Sequence, residues 1–135
     1  MQVQHALISR WRRRLRQIAL LGGLLTALTP QLSQAVDSIQ TVDAVGDVGK
    51  FSSLALDKNG FPVVSYRDDA NGDLKLAHCN DPNCTGNDES IVAVDTNGSV
   101  GANTSLALDK NGFPVISYRD DVNFDLKLAH CNDPN

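Results

Sequence analysis

Residues 53–83 read SLALDKNGFPVVSYRDDANGDLKLAHCNDPN, and 52 residues later, at 105–135, the same run returns with three substitutions in 31 positions. The preceding residues 37–52 and 89–104 repeat more loosely, with seven of 16 positions identical. Everything after residue 36 is therefore one unit written almost twice. A chain of this kind builds its core by stacking small units, each of which contacts its neighbours in the array.

The first 35 residues have a different character. They contain an apolar stretch at residues 18–28 and no acidic residue, a pattern typical of a secretory signal peptide. The stretch is too short to span a membrane, which takes about 20 residues. The small residues Ser33 and Ala35 predict cleavage after Ala35, with an uncleaved amphipathic anchor as the alternative. Export by the general or by the twin-arginine route stays open, because five arginines precede the stretch: Arg10, Arg12, Arg13, Arg14 and Arg16.

Removal of the leader changes the charge balance. The remaining chain keeps seven basic and 16 acidic residues, a net charge of minus nine. Nucleic acids and anionic membranes are bound through clustered Lys and Arg, so this charge speaks against both as partners. We expect a secreted or extracytoplasmic protein, in the periplasm or at the cell surface, whose partner is a protein or a glycan.

Each unit contains short apolar runs of strand length and no helical spacing. Asn-Gly pairs lie between several of these runs and favour tight hairpin turns, because both residues tolerate a positive φ. Short connections indicate antiparallel pairing of consecutive strands. In the first copy we predict four strands, at residues 53–57, 62–68, 73–79 and 90–95.

A four-stranded antiparallel meander repeated every 52 residues is typical of a β-propeller blade. The alternatives are a β-solenoid, for which 52 residues per coil is too long, and an open stack of hairpins. The sequence therefore predicts an all-β, propeller-like array after the signal peptide. We expect a signal peptide at 1–35, one blade at 36–88 and a second at 89–135 that stops within its motif. Two blades cannot close a ring, so we expect a fragment of a longer protein, with further blades of the same or another chain as neighbours. The alternative is a two-blade protein that assembles through its exposed edge strands.

The pattern SLALDxxGxPVxSYxD, then DLKLAxC, a Cys five residues on and VDxxGxVG, resembles tandem repeats of secreted bacterial proteins interpreted as β-propellers. The resemblance covers residues 37–135 and implies a fold and an extracytoplasmic location. It implies no activity. The turn at Asp57 is followed by Phe61 and Pro62, whereas sialidase-type Asp boxes have Thr and Trp there, so no glycosidase activity is inferred.

The three cysteines all lie in the repeats. In an oxidising compartment, Cys79 and Cys84 can form a local disulfide across the long loop that follows the third strand. Cys131 is then unpaired and available to link two chains. A zinc site that includes His78 is the alternative, but its spacing is not that of a standard finger and a fourth ligand is missing.

Acidic and amide side chains are concentrated in the turns, and oxygen ligands of this kind suit calcium. No turn completes a calcium loop with a closing Glu, and Asp and Asn are also favoured in turns by hydrogen bonds to their own backbone. Calcium is therefore a weak expectation, and no other cofactor is expected. The candidate ligands are Asp57, Asn59, Asp69, Asn71, Asp73, Asp109, Asn111, Asp121, Asn123 and Asp125.

No catalytic constellation is evident. The side chains that could act, such as His78, Arg67 and Tyr66, recur at equivalent positions in both copies, whereas an active site needs unlike groups that converge on one point. Structural roles at a strand end and on a strand are the simpler interpretation of His78 and Arg67. The sequence favours a non-catalytic secreted or surface-exposed repeat module. The alternative is part of a propeller hydrolase whose catalytic residues lie in blades outside this sequence.

Overall fold

The computed structural model describes residues 38–133, so the predicted signal peptide lies outside the described residues. This part of the chain is all-β and contains no helix, hence none long and apolar enough to cross a membrane. Its seven strands are β1 (Val48–Leu56), β2 (Pro62–Asp68), β3 (Asp73–His78), β4 (Ser90–Asp95), β5 (Ala102–Leu108), β6 (Pro114–Asp120) and β7 (Asp125–His130).

The strands form two antiparallel sheets in which neighbours in the chain are neighbours in space. The first sheet has the order β1-β2-β3-β4 and the second has the order β5-β6-β7. The predicted four-stranded antiparallel meander is confirmed for the first sheet, with β2 and β4 at their predicted bounds. Since β4 pairs with β3, the first sheet extends beyond residue 88, where the first sequence unit ends.

Strand β1 begins five residues earlier than predicted. Its pairing with β2 shifts register between Val48 and Lys50 and again between Lys50 and Ser53. Gly49 and Phe51 have positive φ within these shifts. Such irregularities break the alternation of side chains by which a strand is recognised in a sequence.

The core lies where the second sheet packs against the first. Val63, Leu74 and Leu76 of the first sheet are buried against Val100, which precedes β5, and against Ile116 and Tyr118 of the second sheet. Leu74 and Leu76 are 0% and 1% exposed. Burying a leucine contributes about 2 kcal/mol, so these contacts supply much of the energy that holds the sheets together.

The sequence DLKLAH occurs in both β3 and β7, yet the two strands differ in burial. The leucines of β7, Leu126 and Leu128, are 85% and 69% exposed. Because the local sequence is identical, the difference arises from position: β3 has the second sheet against it, and within residues 38–133 no sheet covers the corresponding face of β7.

The backbone of the second unit lies close to β3 at Gly101, just before β5. A Cβ at this position would lie 3.0 Å from the Leu74 Cα and 3.1 Å from the Asp73 carbonyl oxygen. Gly101 also has a φ of +84°, which a residue with a side chain adopts only at a cost. Glycine therefore allows the backbone of the second sheet to rest against β3.

Candidate functional site

Each sheet contains a hydrogen-bonded group of one aspartate, one tyrosine and one lysine. In the first sheet, Tyr66 Oη donates to Asp43 Oδ2 at 2.7 Å, and Lys75 Nζ donates to the same oxygen. We call this group the Asp43 network. The Asp95 network of the second sheet has the same form, with donors Tyr118 Oη, at 2.7 Å, and Lys127 Nζ.

The aspartate of each network comes from the chain that precedes the sheet it binds. Asp95 ends β4 of the first sheet, and its carboxylate accepts hydrogen bonds from the second sheet. Asp43 lies 52 residues earlier and precedes β1. The Asp95 network therefore joins the first sheet to the second, and the Asp43 network joins the segment before β1 to the first sheet.

Burial and ion pairing act in opposite directions on these groups. Burial alone would raise the pKa of Asp43, but hydrogen bonds from Lys75 and Tyr66 prevail and lower it to about 2. Burial and the Asp43 carboxylate raise the pKa of Tyr66, so its phenol stays protonated as a donor. In the second sheet, hydrogen bonds from Lys127 and Tyr118 lower the pKa of Asp95 against the effect of burial.

The Asp43 network makes stability depend on pH. The unperturbed carboxyl has a pKa of 3.8 and the folded one about 2. The lowered pKa adds about 2 kcal/mol to the free energy of unfolding. This contribution is complete above about pH 4 and is lost as the pH falls towards 2. Urea unfolding at several pH values checks this expectation: Asp43→Asn should cost about 2 kcal/mol at pH 7 and much less at pH 2.

Asp47 provides the control for this titration, since its side chain is 65% exposed. Asp47→Asn should change the free energy of unfolding by less than about 0.5 kcal/mol. The stability of this variant should still fall between pH 4 and pH 2. A cost of Asp43→Asn that stays the same at pH 7 and pH 2 would contradict the assigned role of the carboxylate.

Sequence reasoning assigned no role to Asp43, although a signal was present. Asp43 and Asp95 are related by the 52-residue period, and each precedes its tyrosine partner by 23 residues. Tyr66 and Tyr118 lie in the closely repeated runs, whereas Asp43 and Asp95 lie in the segments that repeat more loosely.

Arg67 lies between the sheets, where it is ion-paired and buried. Its Nη1 donates to the Val100 carbonyl oxygen at 2.6 Å and its Nη2 to Ser99 Oγ at 2.9 Å. Nε donates to Asp69. Its counterpart Arg119 bonds only along its own strand end, to Asp121 at 2.8 Å, and its side chain is 46% exposed against 10% for Arg67. An arginine at this position therefore links its own sheet to the next one when another sheet follows in the array.

The turns that precede β2 and β6 are organised by aspartates. Asp57 Oδ1 accepts from the backbone N–H groups of Asn59 and Phe61, both at 2.8 Å. Asp109 makes the equivalent pair of bonds at 2.8 and 2.9 Å. The other carboxylate oxygen lies 3.3 Å from Nε2 of His78 in the first turn. These oxygens are used by the turn itself, in the manner usual for Asp in turns.

The second pair of turns uses Asp68 and Asp120 in the same way. Asp68 Oδ1 accepts from the backbone of Ala70 and Asn71, and its Oδ2 accepts from the Asn71 amide at 2.9 Å. Asn123 bonds to Asp120 correspondingly. Of the other calcium candidates, Asp69 and Asp121 pair with arginines, while Asp73 and Asp125 lie opposite Asp68 and Asp120 in their sheets. Residues 38–133 contain no group of three His, Cys, Asp or Glu side chains placed to hold a metal ion.

The cysteines lie at the ends of β3 and β7. The Sγ atoms of Cys79 and Cys84 are 1.99 Å apart, at disulfide-bonding distance. Cys131 is a free thiol, half-buried, and burial together with Asp133 raises its pKa. A raised pKa leaves Cys131 as the protonated thiol at neutral pH, which is the less reactive form.

A shallow cleft of about 260 Å³ lies between the equivalent turns of the two units. Lys58 and Lys110 line it, together with the exposed Leu56. The aspartates of these turns face their own backbone N–H groups, as described above. Of the basic residues within 38–133, Lys58 and Lys110 are the two that form no ion pair with other described residues.

Comparison with known proteins finds no matching family model, no similar curated protein and no similar solved structure.

Proposed function

We propose that this chain is a non-catalytic, secreted repeat module whose units are arranged as blades of a β-propeller-like array. In this proposal it binds a protein or glycan ligand through the cleft between its turns. The observation that supports it best is the use of the same ionisable groups at equivalent positions in both units. The Asp43 and Asp95 networks, and the aspartates of the turns, all serve contacts within the fold.

Duplication of these groups argues against an active site. A catalytic site uses unlike groups with separate roles at one point, whereas here the ionisable side chains recur as two similar sets at two separate places. A binding surface built from repeated turns has no such requirement, because each turn can contribute one similar contact to an extended ligand.

The cleft has the properties expected of a recognition site for an anionic group. Lys58 and Lys110 come from equivalent turns and are not neutralised by an ion pair within the described part of the chain. Asp57 and Asp109 also line the cleft, but their carboxylates accept hydrogen bonds from the backbone of their own turns, which leaves the two lysines to attract a carboxylate on a glycan or protein. Leu56 supplies apolar area beside them.

An extracytoplasmic location is part of the proposal. The bonding distance between Cys79 and Cys84 is compatible with an oxidising compartment, where disulfides persist. The arginine-rich leader and the small residues before position 36 point in the same direction.

Binding to a glycan array that displays neutral, sialylated and uronate-containing glycans tests the cleft. We expect the chain to retain carboxylate-bearing glycans, and Lys58→Ala combined with Lys110→Ala to weaken that binding about tenfold or more, since both charged contacts are lost. Lys50→Ala is the matched control, because Lys50 is ion-paired with Asp47 and Asp69 and lies outside the cleft.

Two results would contradict the proposal. Equal binding by the chain and by the Lys58/Lys110 double variant would exclude the cleft as the site. Release of new reducing ends from the bound glycans would show hydrolysis and would favour the enzyme alternative.

A further inference from the structure

The two ends of the sheet stack expose residues whose counterparts, 52 residues away, are in contact between the two sheets. One end is the face of β7 that exposes Leu126 and Leu128. The 52-residue period relates these residues to Leu74 and Leu76, which are buried against the second sheet. Two leucines on the outer end therefore lack the covering that their counterparts have inside the molecule.

The other end is an open cavity of about 260 Å³ on the first sheet. Its lining includes Val48, Val64, Tyr66 and Ala77. The equivalent positions of the second sheet are Val100, Ile116, Tyr118 and Ala129, which are the residues that pack around Leu74 and Leu76. The cavity is thus the empty counterpart of a site that is filled between the two sheets.

A strand is also unmatched at each end. Within residues 38–133, β7 pairs only with β6, whereas its counterpart β3 pairs with both β2 and β4. The counterpart of β4 is the segment 38–43, of sequence SIQTVD against SIVAVD in β4, and it forms no strand pair in the structure. The end of this segment is already fixed, because Asp43 is bonded to Tyr66 and Lys75 as Asp95 is to Tyr118 and Lys127.

We propose that a second copy of this chain docks head to tail on the first, with an interface that repeats the one between the two sheets. Segment 38–43 of one copy adds to β7 of the other as the fourth strand of its second sheet. Leu126 and Leu128 of that other copy fill the cavity on the first sheet. The interface is heterologous, so association continues until the assembly closes or forms an open array.

The observed pairing of β3 with β4 fixes the register of the added strand. Ala77 is opposite Ile91 and His78 opposite Ser90. The counterparts of Ala77 and His78, 52 residues later, are Ala129 and His130 of β7. The counterparts of Ile91 and Ser90, 52 residues earlier, are Ile39 and Ser38. The proposed register therefore places Ala129 of one copy opposite Ile39 of the next and His130 opposite Ser38. Backbone hydrogen bonds then satisfy the edge of β7, which an exposed strand leaves open.

Charge complementarity favours another copy of the chain as the occupant. Between the sheets, Arg67 bonds to Ser99 and lies 3.7 Å from Asp121. In the proposed interface, the counterpart of Arg67 is the exposed Arg119. The positions of Ser99 and Asp121 are taken by Asp47 and Asp69 of the second copy. Arg119 thus gains a second carboxylate where Arg67 has a hydroxyl.

One substitution between the units affects the fit. A Cβ on Gly72 would lie only 3.2 Å from the Gly98 carbonyl oxygen, so glycine allows this close contact. The residue at the equivalent position of the second unit is Phe124. The Phe124 ring lies 5.5 Å from the Arg119 guanidinium. Docking therefore requires Phe124 to turn outwards, and Phe124→Gly should tighten association.

A charge exchange between copies tests the interface by sedimentation of the full chain, expressed with its leader in an exporting bacterial host. Arg119→Asp and Asp47→Arg should each weaken self-association about tenfold or more, because like charges then face each other. An equimolar mixture of the two variants should associate again, since every interface regains an opposite pair. Asp88→Lys, in the loop between β3 and β4 and outside the residues that form either surface, should leave association unchanged.

A cross-link tests the register. With Cys131→Ser in both partners, a chain bearing Ile39→Cys and a chain bearing Ala129→Cys should form a disulfide-linked dimer, because directly opposite residues lie within disulfide reach. Moving the first cysteine to Gln40→Cys should abolish most of the cross-link.

Several results would overturn the proposal. The chain could sediment as a monomer at 0.1 mM (about 10⁻⁴ M, a weak-binding limit), or the two charge variants could stay dissociated when mixed. Association that ignores all substitutions would indicate unspecific aggregation.

Discussion

Leu76→Ala is expected to lower the free energy of unfolding by about 3 kcal/mol, whereas Leu128→Ala should change it by less than about 0.5 kcal/mol. The two leucines occupy the same place in identical DLKLAH strands. Leu76 is buried with Val63 and Ile116 between the sheets, and Leu128 faces solvent. Truncation of Leu76 leaves a cavity in the core, while truncation of Leu128 removes contacts with water.

Urea unfolding of both variants measures this difference at a protein concentration low enough to keep the chain monomeric. At high protein concentration, Leu128→Ala should also weaken self-association of the chain, which sedimentation measures. Equal costs of the two substitutions in the dilute monomer would mean that the sheets do not pack as described.

Gly101→Ala should have an effect of similar size, a loss of about 2 to 5 kcal/mol. Its left-handed φ costs an alanine about 1 to 2 kcal/mol, and the new Cβ would overlap the backbone of Leu74 and Asp73, which adds about 1 to 3 kcal/mol. Gly49→Ala is the matched control. Gly49 has a φ of +90° with no atom within 4 Å of the added Cβ, so it should cost only the conformational part.

Thermal or urea unfolding of both glycine variants separates the two contributions. If Gly49→Ala destabilised the protein as much as Gly101→Ala, the backbone strain at positive φ would explain both losses, and the close approach of the sheets at Gly101 would contribute nothing. In the associated state Gly49→Ala should also weaken docking, because Gly49 is the counterpart of Gly101 in the proposed interface.

Much of the secondary structure could be predicted because turns and strands depend mainly on residues that are close in the sequence. The Asn-Gly pairs mark the hairpins, and the apolar runs between them give β2 and β4 their observed bounds. The early start of β1 could not be predicted, since the register shifts near Gly49 depend on pairing with β2. A pattern of side chains contains no information on a local backbone irregularity of this kind.

Burial and partners were less predictable than strands. The two copies of DLKLAH are identical in sequence and opposite in exposure, so no reading of the local sequence distinguishes Leu74 from Leu126. The sequence predicts only a structural role on a strand for Arg67, and the structure shows it ion-paired and buried between the sheets. Asp43 was missed because its partners Tyr66 and Lys75 are distant in the sequence, 23 and 32 residues away.

The sheet and the sequence period are out of phase, since β4 lies in the second unit of sequence but pairs in the sheet of the first, while the carboxylate of its terminal Asp95 binds the second sheet. This offset has an evolutionary consequence. Insertion or loss of any whole 52-residue window, wherever its ends fall, rejoins a strand to a neighbour of the same kind and restores each carboxylate to a tyrosine and a lysine. Unequal recombination within such a gene can therefore lengthen or shorten the array without inventing a new contact, and selection can act on copy number alone.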